Sequence, residues 1–174
     1  MNNLTLFKHI KCIAMDVDGV LTDGKVMLLP SLEMVRSMNI KDGYALQLAV
    51  KKGYRILVIS GAVDTGAVTN RLNGLGIKAF HQNCKDKASL LQKTMADWGL
   101  TSEEVLFIGD DIPDYEAMKW VGLACCPSDA VQEIKNISQY ISPLKGGEGC
   151  VRDVIEKVLK LNNDWDLDST VASK

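Results

Sequence analysis

Apolar positions along the chain fall into two alternating patterns. Residues 10–15, 55–59, 77–80, 105–108 and 122–125 form short runs of strand length, several too continuously apolar for a sheet with one wet face. Between them, residues 44–52, 64–73, 86–98 and 113–120 carry apolar residues at helical spacing. Gly53, Gly74 and Gly99 close three of these segments, and Pro113 opens the fourth. Strict alternation of strand and helix predicts right-handed crossovers and an α/β fold, a doubly wound, Rossmann-like parallel sheet. The ligand site of such a sheet lies beyond the carboxyl ends of its strands.

One stretch breaks the alternation. In residues 25–39, VMLL and EMVRSM flank a Pro30-Ser31 turn signal, which predicts a β-hairpin projecting from the site end. Gly146-Gly147-Glu148-Gly149 precedes a last helix, as a helix-entry turn or as a functional loop. Residues 162–174, NNDWDLDSTVASK, are polar, acidic and aperiodic, and are expected to be a mobile tail unless something docks them. Residues 1–161 then form a single domain, a size that permits one sizeable core.

Charge narrows the partners. With 20 basic against 22 acidic residues the formal net charge is -2, so no global basic field favours nucleic acid or an anionic membrane. Lys8, His9, Lys11 and Asp16 interrupt the early apolar runs, and no run is long enough to span a bilayer, so a cytoplasmic location is expected. Five cysteines without a C-x-x-C pair suggest buried residues, not disulfides or a zinc site.

The first strand runs directly into DVDGV, placing Asp16 and Asp18 at its carboxyl end. Side chains two apart on a strand lean to one side, and carboxylates about 6 Å apart repel by roughly 3 kcal/mol at an effective dielectric of about 20. A cation removes that cost, and an oxygen-only ligand set favours Mg²⁺. A second acidic cluster, Asp110, Asp111 and Asp114 in GDDIPD, follows the apolar strand VLFI at the same sheet edge. Asp is common at helix N-caps, so either cluster alone could be structural; two at equivalent strand ends favour a site.

DVDGV, Ser60-Gly61 after RILVI, Lys87 at a helix start and GDDIPD resemble the four ordered motifs of the haloacid dehalogenase superfamily of phosphotransferases. Within it, DVDGVLTDG, the hairpin, KDGYAL and GGEGCVRD resemble the 3-deoxy-D-manno-octulosonate 8-phosphate phosphatases, which have no inserted cap domain. The resemblance implies an Mg²⁺-dependent phosphatase in which Asp16 is the nucleophile, forming an aspartyl-phosphate, and Asp18 is the general acid and base. It implies that Asp16, the Asp18 backbone carbonyl and Asp110 hold the metal, with Asp111 or Asp114 orienting its waters. Ser60, Gly61 and Lys87 would bind the transferring phosphoryl group. Asp42 and Gly43 could be a helix start or could approach the substrate, and Arg152 could grip a substrate carboxylate or a neighbouring chain.

The implied partners are a small sugar acid phosphate and further copies of the same chain in a homotetramer, whose hairpins help cap neighbouring sites. The tail would dock near a neighbour's site. One departure stands out: Ala62 follows Ser60-Gly61 where related sugar-acid phosphatases often carry Arg or Glu, which bears on substrate preference more than on chemistry. Two other readings stay open on the residues: a phosphatase of broader or macromolecular specificity, and a non-catalytic phosphate-binding regulatory module.

Overall fold

The computed structural model describes residues 3–31, 34–63 and 66–171. Six parallel strands form one sheet in the order β5-β4-β1-β6-β7-β8, with β1 Cys12–Met15, β4 Arg55–Ile59, β5 Ala79–His81, β6 Val105–Ile108, β7 Leu123–Cys126 and β8 Tyr140–Ile141. The central strand β1 pairs on both sides, Met15 lying opposite Val58 of β4 and Ile108 of β6. Every residue of β1, β6 and β7 is buried, which is why their sequences are unbroken apolar runs.

Alternate residues feed two cores. Ile13 and Met15 of β1 join Phe7, Leu46, Leu72, Val154 and Val158 on one face, beneath α1 Ile40–Lys51, α2 Ala67–Gly74 and α6 Cys150–Leu161. Cys12 and Ala14 join Leu57, Leu91, Phe107, Met118 and Ile134 on the other, beneath α3 Lys87–Trp98, α4 Tyr115–Met118 and α5 Gln132–Ile137. Burying one such side chain contributes about 1.5–3 kcal/mol. The fold is thus the expected doubly wound α/β sheet, and the described residues include no inserted cap domain.

The sequence pattern misplaces some details. Helix α1 begins at Ile40, four residues before the expected start, because the Asn39 side chain accepts the Lys41 N–H at 2.9 Å and caps the helix. Asp42 and Gly43 therefore lie inside the helix and do not start it. Residues 113–120 divide into a 3-10 turn, Ile112–Asp114, followed by the single turn of α4. Short α5 and β8 carry too little periodicity to be read from sequence. The start of the expected 64–73 helix lies outside the described residues.

A hairpin does leave the sheet. β2 Met27–Leu28 pairs antiparallel with β3 Met34–Val35, and a bridge between Thr22 and Met38 closes its base beside the end of β1. Its tip at 32–33 lies outside the described residues. Val26, Met27, Leu28, Met34 and Val35 are all exposed. Residues 162–171 lie against α1 and α6 of their own chain: the Tyr54 hydroxyl donates to Asp164 at 2.7 Å, and the Trp165 ring meets Tyr44 edge-on at 6.2 Å. No helix among the described residues is long and apolar enough to cross a membrane.

Candidate active site

Strands β4, β1 and β6 are adjacent, so the loops leaving their carboxyl ends converge. A cavity of about 280 Å³ opens there, lined by Asp16, Asp18, Gly24, Ser60, Gly61, Ala62, Lys87, Asp110, Asp111 and Pro113. A larger cavity, about 850 Å³, lies at the opposite end of the sheet around Trp98 and Arg55 and contains none of these acids.

Lys87 ties the site together. As the first residue of α3 it is buried, whereas Lys85 and Lys93 are exposed. Its ammonium group lies 2.8 Å from Asp16 Oδ2 and donates to Asp114 Oδ1 at 2.7 Å. Burial alone lowers the Lys87 pKa, but the facing charges of Asp114 and Asp16 outweigh it and the net displacement is upward. Asp16 also accepts the Val17 N–H at 2.6 Å through Oδ1. Desolvation, followed by the charge of Asp114, raises its carboxyl to about 6 despite the pull of Lys87.

Asp114 is completely buried and fully engaged. Its Oδ2 accepts the Asp110 N–H at 3.0 Å while Oδ1 holds Lys87, so it braces the loop and the lysine together. Asp111 turns away from that contact and accepts the Ile112 N–H at 2.8 Å, capping the 3-10 turn. Asp110 is the unbalanced member: its Oδ1 is buried without a hydrogen-bond partner among the described residues. Desolvation first, then the charges of Asp114, Asp16 and Asp111, push its carboxyl up to about 8.

That imbalance has the form of a cation site. Asp16, Asp110 and Asp114 each offer an oxygen within 4.8 Å of the others. Asp114 is wholly buried and does not line the cavity, whereas Asp16 and Asp110 do; each Asp16 oxygen keeps a lone pair beyond its bond to Val17 N–H or Lys87, and a buried Asp110 oxygen with no partner among the described residues fits a hard divalent ion. Gly19 makes the approach possible: its φ is +81°, and a Cβ there would lie 2.0 Å from Asp110 Oδ2.

Ser60 is buried at the end of β4, its Oγ accepting the Ala62 N–H at 3.1 Å, with Gly61 beside it in the cavity wall. The remaining sequence candidates are elsewhere. Asp42 is buried in α1, where Oδ1 accepts the Arg152 N–H at 2.7 Å and caps the start of α6 from a neighbouring helix. Its carboxyl is raised to about 6, chiefly by burial, against the Arg152 and Gly149 N–H groups that pull it down. Gly43 donates to Asn39 O and accepts from Gln47. The Arg152 guanidinium lies 5.6 Å from the Tyr44 ring centre and 5.4 Å from that of Trp165. None of the three lines the cavity.

Three features escaped the sequence reading. Arg36, just beyond β3, grips Asp18 with two bonds, Nε to Oδ1 at 2.7 Å and a terminal nitrogen to Oδ2 at 3.2 Å. Thr22 is wholly buried; its hydroxyl donates to Asp18 Oδ1 at 3.3 Å and accepts the N–H groups of Gly19 and Gly24. Gly146 packs so closely on the first loop that a Cβ there would lie 1.9 Å from Gly19 O, and the Gly147 N–H donates to Val20 O. A cation among the apolar residues of the hairpin's second run, EMVRSM, was the available signal for Arg36; the other two contacts leave none in local sequence.

A haloacid dehalogenase-like hydrolase family profile matches residues 75–154. The 3-deoxy-D-manno-octulosonate 8-phosphate phosphatase of Yersinia pestis is 30% identical over 151 residues, covering 87% of this chain and 80% of the relative. Among solved structures, the phosphatase of the same description from Moraxella catarrhalis, in complex with a magnesium ion, a phosphate ion and a KDO molecule, superposes with a TM-score of 0.89 at 31% identity. That match covers 93% of this chain and 92% of the other. A cobalt-bound deoxy-D-mannose-octulosonate 8-phosphate phosphatase from Haemophilus influenzae gives a TM-score of 0.85 at 29% identity over 90% of this chain and 88% of that one.

Proposed function

Because the chain belongs to the haloacid dehalogenase-like hydrolases, and among them to the 3-deoxy-D-manno-octulosonate 8-phosphate phosphatase-like family, we propose that it is an Mg²⁺-dependent phosphomonoesterase acting through an aspartyl-phosphate on a 3-deoxy-2-keto sugar acid phosphate. The substrate is the octulosonate 8-phosphate or a nonulosonate 9-phosphate. The observation that carries the reading is the buried Asp16 carboxylate, held by Lys87 beside the partnerless Asp110 Oδ1 in one cavity.

Asp16 attacks phosphorus, and the ester oxygen leaves with a proton from Asp18. Asp18, now a base, takes a proton from the water that hydrolyses the acyl phosphate. Splitting hydrolysis this way lets one carboxyl serve both halves. Ser60 Oγ, the Gly61 N–H and the Lys87 ammonium bind the transferring phosphoryl oxygens, donors fixed before charge develops. Lys87 is kept in place by Asp114, which leaves one of its three N–H groups for the ligand. Asp16, Asp110 and the Asp18 carbonyl would hold Mg²⁺, with Asp111 at the cavity wall orienting its waters and Asp114 acting through Lys87 and the Asp110 N–H that occupy its two oxygens. Bound there, the ion would neutralise the acid cluster and polarise the phosphoryl group.

Ala62 lines the cavity without a charge, so recognition of the sugar carboxylate falls to other residues. The assembly is a cytoplasmic homotetramer in which the hairpin packs against neighbouring copies.

Released phosphate, measured across a panel of phosphate esters in Mg²⁺, tests the reading. Sugar acid phosphates should exceed simple sugar phosphates in kcat/KM, activity should vanish in EDTA and return with Mg²⁺, and Asp16→Asn should lower kcat by at least about 10³-fold. Chelator-resistant turnover, or an active Asp16→Asn enzyme, would reject it.

A further inference from the structure

The geometry points to Arg36 as a positioning residue for the proton-transfer step, an inference that rests on the reading of Asp18 as acid and base. Arg36 lies 18 positions from Asp18 in sequence, yet its side chain is more buried than that of the aspartate it holds, 11% against 34% exposed. A long cation on an exposed hairpin ordinarily extends into water. This one turns inward, onto the carboxylate of the DVDGV stretch that Lys87 does not contact.

The two oxygens of Asp18 are held unequally. Oδ1 accepts Arg36 Nε at 2.7 Å and the Thr22 hydroxyl at 3.3 Å, which uses both of its lone pairs. Among the described residues, Oδ2 accepts only the longer bond from Arg36 at 3.2 Å. One lone pair on Oδ2 is therefore left to exchange a proton with the ester oxygen and later with water. The planar fork of Arg36 fixes the plane of the carboxylate as well as its position, something a lysine point charge cannot do. Thr22 also forms the base of the hairpin through its bridge to Met38, two residues beyond Arg36. The hairpin base and the orientation of Asp18 are one hydrogen-bonded unit.

A residue that orients the acid matters most when the leaving oxygen needs its proton. The test compares kcat/KM for phenyl phosphate, a poor leaving group, with that for 4-nitrophenyl phosphate, a good one, in Arg36→Met, Arg36→Lys, Asp18→Asn and the Asp18→Asn/Arg36→Met pair. Neither ester carries a carboxylate, so direct contact between Arg36 and a sugar acid does not enter. Arg36→Met should lose about 10-fold more on phenyl phosphate than on 4-nitrophenyl phosphate, since general acid catalysis is worth about 10²–10⁴-fold when intact. Arg36→Lys should show a smaller bias, and Arg36→Met should add little to Asp18→Asn. If Arg36→Met folds poorly, Arg36→Lys and Arg36→Gln carry the same comparison. Equal losses on both esters in the Arg36 variants, with a biased Asp18→Asn, would overturn the role of Arg36 alone. An unbiased Asp18→Asn would overturn the reading of Asp18 and this inference with it.

Discussion

At the scale of single residues, the site is a charge imbalance held in place by the fold. Asp16 and Asp110 are raised to about 6 and about 8 from 3.8, in both cases first by burial. An acid whose folded-state pKa lies above its unfolded value binds more protons in the folded protein, so stability falls as pH rises from the unfolded value through the folded one. Metal-free protein should therefore lose melting temperature between about pH 4 and about pH 8, in a direction opposite to ordinary acid denaturation. Mg²⁺ should restore most of the loss near pH 8 by occupying the ionised cluster, and Asp110→Asn should flatten the metal-free profile. Calorimetry in EDTA and in Mg²⁺ reads this directly. A metal-free melting temperature that is level or rises over that range would contradict the assignment of the imbalance.

At the scale of elements, the acids are oriented by loops that support one another. The GGEG turn before α6 reads locally as a helix entry, but its glycines also admit the DVDGV loop: Gly146 touches Gly19 O, and the Gly147 N–H is bonded to Val20 O. A Cβ at Gly146 cannot be accommodated by rotating a side chain, because the neighbouring atoms are backbone. Gly146→Ala should therefore displace the loop that carries Asp18, destabilising the fold by about 1–3 kcal/mol. That corresponds to a fall in Tm of about 2–4 °C per kcal/mol. Turnover of 4-nitrophenyl phosphate should fall in the same variant. Wild-type Tm and kcat together would show that the close approach is not required.

For the whole molecule, the hairpin is an exposed apolar surface beside the site. Met27 and Leu28 are 64% and 73% exposed, beside Val26, Met34 and Val35, an apolar surface that water solvates poorly. A second copy of the chain offers the same surface, and closed symmetry allows each hairpin to shield a neighbouring site. Light scattering should report a tetramer, and replacing both Met27 and Leu28 with Glu should shift the population to smaller species with reduced activity. A fully active monomer would dissociate the hairpin from assembly and leave the cavity mouth open.

The sequence by itself determined the sheet and the first-rank acids. Buried parallel strands must be apolar on both faces, so β1, β4, β6 and β7 announce themselves locally, and residues at a strand's carboxyl end follow from the run that precedes them. Asp16, Asp18 and Asp110 could be placed at one edge on that basis alone. Tertiary structure decided what no local pattern encodes. Asp42 caps a helix 110 positions away, which gives it a structural partner in place of a cavity position. Residues 162–171, read as a polar tail, pack on Tyr44 and Tyr54 because their aromatic and acidic side chains match an α1–α6 surface assembled from distant segments. Arg36 meets Asp18 only because a hairpin folds back over the end of β1. Such pairings depend on where chain segments come together in space, and that is fixed by the packing of the whole sheet and its helices, not by the residues on either side.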